Sequence, residues 1–330
     1  MPAETRAYPR YRALTESFLM GTDGILNLNK PQGVTSFAMV SLVRHITGER
    51  RVGHAGTLDP LASGVLPILL GQGTRLMEFL TAHRKTYRAQ IALGATTDTG
   101  DSQGAVIFSG DCSSVDRASA ETALSTFLGP ILQVPPMYSA LKHNGEPLYR
   151  LARQGISVHR EARAAHIWSL RLVEWQPPNL TLEIECSKGT YVRTIATDLG
   201  EKLGCGAHLT GLVRLSSSFL RLEDAVTPGE FEEAVRQSWW QELVYPMDEA
   251  VLEYAAVVAG ETSEIAIRAG KTLDPEKVAP GLPGDWCRAY SLSGRLISLL
   301  RFQPEANLWH PERVFPGQSP ASDKTGSPAS

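Results

Sequence analysis

The first regular pattern of apolar and polar positions begins at Gly24, where "GILNLNK" runs into "PQG"; this predicts a short strand ending in a Pro-Gly turn. Immediately after it, "SFAMVSLVRHITG" places apolar residues at helical spacing ahead of a glycine stop, which predicts a helix. "TYRAQIALG" and "LTLEIECS" carry the β-branched and apolar alternation of strands, while "RASAETALSTFLG" and "GTYVRTIATDLGEKLG" read as helices closed by glycine. Beyond about residue 248, "DWCRAY", "RLISLLRF" and "ERVF" predict short strands separated by Gly/Pro turns. Strands and helices therefore mix without a regular βαβ rhythm, which favours an α+β sheet domain over a doubly wound one. No internal repeat is present.

The two ends break this pattern. Residues 1–23 read as a loosely attached leader, and "PGQSPASDKTGSPAS" at 316–330 holds too little apolar surface to fold. With 330 residues, the expected organisation is a large domain over 24–247 and a small β-rich module over 248–315. Hydrophobic residues at 42% and charged residues at 20% fit an ordinary globular protein. No apolar run is long enough for a signal sequence or a membrane span, so a cytoplasmic protein without a membrane partner is expected. Cys112, Cys186, Cys205 and Cys287 are widely spaced, as in a reduced protein, and the lone C-x-x-H of Cys205 and His208 lacks the two further ligands of a zinc site.

A formal net charge of -3 announces no nucleic-acid partner, but the charge is uneven. Residues 141–171 hold Lys142, Arg150, Arg153, Arg160, Arg163 and Arg171 against Glu146 and Glu161, whereas 222–264 hold eleven acids against Arg236. A basic working face followed by an acidic connecting region is the implied layout.

One stretch carries candidate chemistry. "GHAGTLDPLASGVL", from Gly53 to Leu66, sets the single carboxylate of Asp59 between a glycine-rich approach and an apolar exit. On composition alone Asp59 or Thr57 reads as a turn cap. Gly53 and Gly56, which permit close approach of backbone or ligand, His54, and Pro60, which fixes the chain just after the carboxylate, argue for presentation instead. Other signals weigh less. "GQGTRL" lacks the third glycine of a dinucleotide loop, and Asp98 and Asp101 in "TTDTGD" read as loop hydrogen bonders rather than a metal or acid/base pair.

Five ordered blocks then resemble the TruB family of tRNA pseudouridine synthases, which isomerise a uridine in the T-loop of tRNA. They are "LNKPQGVTS" (28–36), "GHAGTLDPLASGVLPI" (53–68), "KTYRAQIALGATTDTGD" (85–101), "VPPMYSALKHNGEPLYRLARQG" (134–155) and "CSKGTYVRTIATDLGEKLGCGAHLTGLVRL" (186–215). The resemblance implies a pseudouridine synthase fold with a mixed, largely antiparallel sheet and a PUA-like C-terminal module. It implies that Asp59 is the catalytic carboxylate, that Arg193 neighbours it, that Tyr87 supports catalysis, and that Tyr191 and Leu212 hold the base. It also implies that His54 fills the space of a flipped nucleotide, that Lys30 stands near the active-site sheet, either on RNA or bracing Pro31, and that an insertion over about 133–155 grips RNA. The substrate implied is the T-arm stem-loop of tRNA, modified at position 55 by a monomer with no cofactor, no metal and no obligate protein partner. Whether the carboxylate attacks the ring, attacks the anomeric carbon or stabilises charge stays open, and a tRNA-folding helper with secondary catalysis is the competing reading.

Overall fold

The computed structural model describes residues 22–274 and 286–316. The leader expected over 1–23 and the tail over 316–330 lie almost wholly outside them. Two compact units are present, one over Asp23–Ala255 and one holding the residues from Ala256 onward. Because the 3-10 turn Met247–Val251 buries Ala250 and Val251, the larger unit runs past the expected limit at 247.

A ten-stranded sheet organises the larger unit. Its main strands are β1 (Gly24–Lys30), β2 (Ala62–Leu70), β3 (Lys85–Leu93), β4 (Gly129–Gln133), β5 (Arg163–Gln176), β6 (Asn179–Cys186), β7 (Ala207–Ser217) and β8 (Val244–Tyr245). Across the sheet they lie in the order β8-β1-β2-β7-β3-β6-β5-β4. Short strands at Val52–His54 and Leu220–Arg221 pair with β2 and β7. Every neighbouring pair is antiparallel except β2 and β7, which run parallel with Leu212 opposite Ala62 and Arg214 opposite Gly64. The sheet is thus mixed and largely antiparallel, as expected.

Alternation along β3 shows how the sequence makes the core. Tyr87, Ala89, Ile91 and Leu93 point inward, while Arg88 and Gln90 face solvent. The helix Ser36–Thr47 buries Met39, Val40 and Val43; it is capped by the Thr35 hydroxyl, which accepts from Ala38 N–H at 3.1 Å, and it ends at Gly48. "RASAETALSTFLG" stops being helical earlier than its glycine suggests. The helix covers Arg117–Ser125, tight turns follow through Leu128, and Gly129 opens β4 instead.

A four-stranded sheet of Ala255–Val258, which starts at the last residue of the larger unit, Trp286–Tyr290, Leu296–Gln303 and Leu308–Val314 organises the smaller unit, with the helix Glu261–Arg268. Ile267, Cys287, Leu300 and Trp309 form its core. No helix among the described residues is long and apolar enough to cross a membrane.

Candidate active site

The chain from Val52 to β2 doubles back on itself. His54 pairs with Ile68, and Ala55 N–H donates to Pro67 O at 3.0 Å, so the residues between form a loop at the head of β2. Gly56 sits at φ +103, a conformation that side-chain-bearing residues avoid. The Ser36 hydroxyl grips Leu58 twice, accepting from its N–H at 2.9 Å and donating to its carbonyl at 3.1 Å. Pro60 O accepts from Gly33 N–H at 2.7 Å, and Asp59 O, rather than its carboxylate, accepts from Ala62 N–H. The turn is therefore closed by backbone, which leaves the Asp59 carboxylate 40% exposed and available.

That carboxylate meets Arg193 in the helix Val192–Lys202. Arg193 Nε stands 2.9 Å from Asp59 Oδ2, and the arginine side chain is only 6% exposed. Its other nitrogens are also committed: Nη1 donates to Thr99 O at 3.0 Å and Nη2 to Tyr138 O at 2.7 Å. Each edge of the guanidinium fork is thus fixed, so the ion pair has one geometry. The helix start is set by Gln133 at the end of β4, whose side-chain amide accepts from Tyr191 N–H and donates to Tyr191 O. This pairing replaces a conventional cap, since Tyr191 caps no N–H with its side chain.

Five further cations and phenols shape the surroundings. Tyr87, buried on β3, pairs in register with Arg214 on β7. Burial pushes its phenol above the ordinary range while the Arg214 charge works against that, so the phenol keeps its proton. Tyr191 is half-buried, and burial raises its phenol as well. Arg214 is fully buried, as is Lys30. Lys30 donates to Pro31 O and Val34 O, both at 2.8 Å. These bonds brace the turn that follows Pro31, one of the two positions expected for it. Desolvation lowers its pKa to about 8, with Asp59 opposing and Arg214 assisting. Lys85 behaves alike: it donates to Thr81 O and His83 O, and burial followed by the Arg214 charge brings it to about 8.

His54 is half-buried, and its Nδ1 meets no hydrogen-bond partner among the described residues. Burial, then the Arg214 charge, holds it below the ordinary histidine range, so it is neutral at pH 7. Leu212 is buried beside Ala62, at the exit of the Asp59 loop. The structure therefore joins Asp59 and Arg193 directly, sets Tyr87, Tyr191 and Leu212 on the elements around them, and sends Lys30 inward.

Two residues carry more than the sequence suggested. Asp98 and Asp101 do bond their own loop, with Asp98 accepting from Ala105 N–H and Asp101 from the Thr99 hydroxyl and Gln103 N–H. Asp101 in addition turns a buried carboxylate oxygen toward Arg193 Nη1 at 3.9 Å. Arg214 went unread altogether, although it shares a strand face with Leu212 at a spacing of two. The Cys205 thiol and the His208 ring bond different carbonyls, and no group of three or more metal-binding side chains converges among the described residues.

The basic insertion stands apart. Lys142–His143 and Glu146–Pro147 form a hairpin closed by Asn144 and Gly145, both at positive φ as its two-residue turn requires. The short helix Leu148–Arg153 follows, and Lys142, Arg150 and Arg153 are exposed.

The site is thus a carboxylate-bearing loop beside the parallel strand pair of a mixed sheet, with the carboxylate paired to a buried arginine. A solved Cbf5-Nop10-Gar1 complex contains a chain of this fold, 25% identical, aligned over 85% of this chain and 78% of that one with a TM-score of 0.67. The model of the TruB family pseudouridylate synthase N-terminal domain matches residues 44–192, and that of the tRNA pseudouridylate synthase B C-terminal domain matches 193–252. A tRNA pseudouridine synthase B of Dehalococcoides mccartyi is 42% identical over 91% of this chain and 99% of its own length. Another, from Syntrophotalea carbinolica, is 49% identical over 71% of this chain and 76% of its own. The chain belongs to the TruB family of pseudouridylate synthases.

Proposed function

We propose that the protein is a tRNA pseudouridine synthase that converts the T-loop uridine at position 55 to pseudouridine, with Asp59 as its reacting carboxylate. The observation that carries this is the half-exposed Asp59 carboxylate held 2.9 Å from buried Arg193 in a chain of this family. Relatives that cover most of the chain bear the name tRNA pseudouridine synthase B, which supports tRNA as the substrate.

Pseudouridylation breaks the C1'–N1 bond, turns the uracil and rejoins it to C1' through C5; C5 loses a proton and the freed N1 gains one. Nothing is oxidised and no group leaves, so the proposal needs no cofactor. An anion beside the sugar serves either as nucleophile or as a partner for developing positive charge. Arg193 pairs with the carboxylate in a site from which a flipped base displaces water. Tyr87, protonated and buried, supports proton movement, while Tyr191 and Leu212 bind the base and neutral His54 fills the space it vacates. The exposed cations of the insertion contact T-arm phosphates.

Release of tritium from tRNA labelled at uridine C5 tests the reading. Wild-type protein should release the label from position 55, and Asp59→Ala should not; release undiminished by that substitution would sink the assignment.

A further inference from the structure

Arg214 is among the largest fully buried side chains, and its guanidinium bonds two carbonyls of a single loop as well as the Tyr87 side chain. Nε donates to Val65 O at 2.6 Å and Nη2 to Gly56 O at 3.0 Å. Gly56 and Val65 stand on either side of Asp59, so one planar group ties the entrance of the carboxylate loop to its exit. Burying a guanidinium is costly, and an apolar side chain of similar size would fill the same space more cheaply. What the arginine adds is a rigid fork of donors at fixed spacing.

The backbone of Arg214 is held against the same loop. It lies opposite Gly64 in the parallel pairing of β2 and β7, where Gly64 adopts φ +101 and a Cβ would sit 2.3 Å from Arg214 O. On its other side Arg214 pairs with Tyr87. It thus links the loop that presents Asp59 to the strand that presents the tyrosine, while remaining shut off from solvent.

Resting on the reading that Asp59 is the reacting group, we propose that Arg214 is a positioning residue: its guanidinium clips the Gly56–Val65 loop closed and so fixes the Asp59 carboxylate against the substrate. Displacement of a reacting group by about 1 Å costs on the order of 100-fold in rate, which sets the size of the expected effect.

The test uses the full chain and tRNA. In Arg214→Lys a single ammonium replaces the planar fork, so the two carbonyls are no longer held at a fixed spacing. Its kcat should fall about 100-fold while KM for tRNA stays within about twofold, because the insertion is untouched. Guanidinium ion at tens of millimolar should restore part of the kcat of Arg214→Ala and none to Asp59→Ala. Hydrogen exchange of Arg214→Lys should quicken over residues 56–66 and stay unchanged in β5 and β6. A folded Arg214→Lys with wild-type kcat, or a loss of kcat that only tracks loss of folded protein with exchange raised everywhere, would overturn the proposal. Should Arg214→Ala fail to fold, the lysine variant's exchange and kcat-to-KM split still decide it. Failure of the Asp59 reading is seen separately, as turnover that survives Asp59→Ala whatever the Arg214 variants do.

Discussion

The Asp59 loop and the basic insertion are both excursions from the same sheet, yet they are built in opposite ways. The loop is fastened by Ser36, Gly33, Arg193 and Arg214, most of them buried, and its carboxylate stays partly exposed. The insertion is a two-stranded hairpin and a short helix whose cations are exposed, and a lone hairpin is at best marginally stable. A group that must meet one atom of a substrate needs a fixed position, whereas groups that grip phosphates need only charge and reach. The two regions touch at Arg193, whose Nη2 holds Tyr138 O near the start of the insertion while Nε holds Asp59.

Removing the carboxylate gives the strongest contrast between them. Asp59→Asn keeps the shape of the loop and leaves the insertion untouched. Tritium release should drop about a thousandfold or more, with the dissociation constant for tRNA within a few-fold of wild type by filter binding. An equal loss of affinity and turnover would mean that the two regions are not separable in this way.

Arg193→Lys should come next. A lysine cannot supply three donors in one plane, so Asp59, Thr99 O and Tyr138 O cannot all be satisfied. The expected result is a fall in kcat of about 10- to 100-fold and a loss of stability of about 1–3 kcal/mol, read from urea unfolding. Because the side chain also holds Tyr138, proteolysis within 138–155 should speed up in this variant, while Asp59→Asn should leave that rate unchanged.

The insertion is probed by converting Lys142, Arg150 and Arg153 together to Gln. Affinity for tRNA should weaken, and the slope of log K against log salt should shrink by about 2 to 3, one counterion equivalent per lost phosphate contact. Exposed positions of this kind change stability by about 0.5 kcal/mol or less each, and kcat at saturating tRNA should hold. An unchanged salt slope would remove the phosphate-gripping role.

The same contrast separates what the chain discloses from what it conceals. Period-two alternation located β1, β3 and β6, and helical spacing located Ser36–Thr47, because each is a local pattern. The parallel pairing of β2 with β7 joins Ala62 to Leu212 across most of the domain, and no local period encodes it. The pairing of Asp59 with Arg193 was legible through their motif blocks, and "TGLVRL" drew attention to Leu212. Arg214, two residues on in that same block, was not legible, since a charged residue in an alternating strand reads as solvent-facing. Lys85 escaped for the same reason, and Lys30 was placed on either side of that line. Buried cations defy the usual polar-outside reading, and around Asp59 that exception is the rule. Asp101 was half read: its turn bonds follow from "TTDTGD", but its approach to Arg193 depends on a helix that begins some ninety residues later.

Those buried lysines make the last and smallest prediction, which concerns the foundation of the loop rather than its chemistry. Lys30 and Lys85 each titrate at about 8 in the folded protein, against 10.5 as their ordinary value. Below pH 8 both states bind the proton, and the native state carries the full cost of two buried charges. Between about 8 and 10.5 the unfolded chain still binds protons that the native state has released, so the free energy of unfolding rises with pH over that window. Each lysine should contribute on the order of 1 kcal/mol or more to the rise. Lys30→Met and Lys85→Met would lower the baseline by leaving two carbonyls each without a donor, yet each should flatten part of the slope. The slope, measured by urea unfolding from pH 7 to 10.5, is therefore the readout that isolates the charge. Substituting Lys142, which is exposed in the insertion, should leave it as it was. A wild-type stability that falls across this range would show that the lysines beneath the Asp59 loop keep their protons, and that the loop rests on paired rather than desolvated charge.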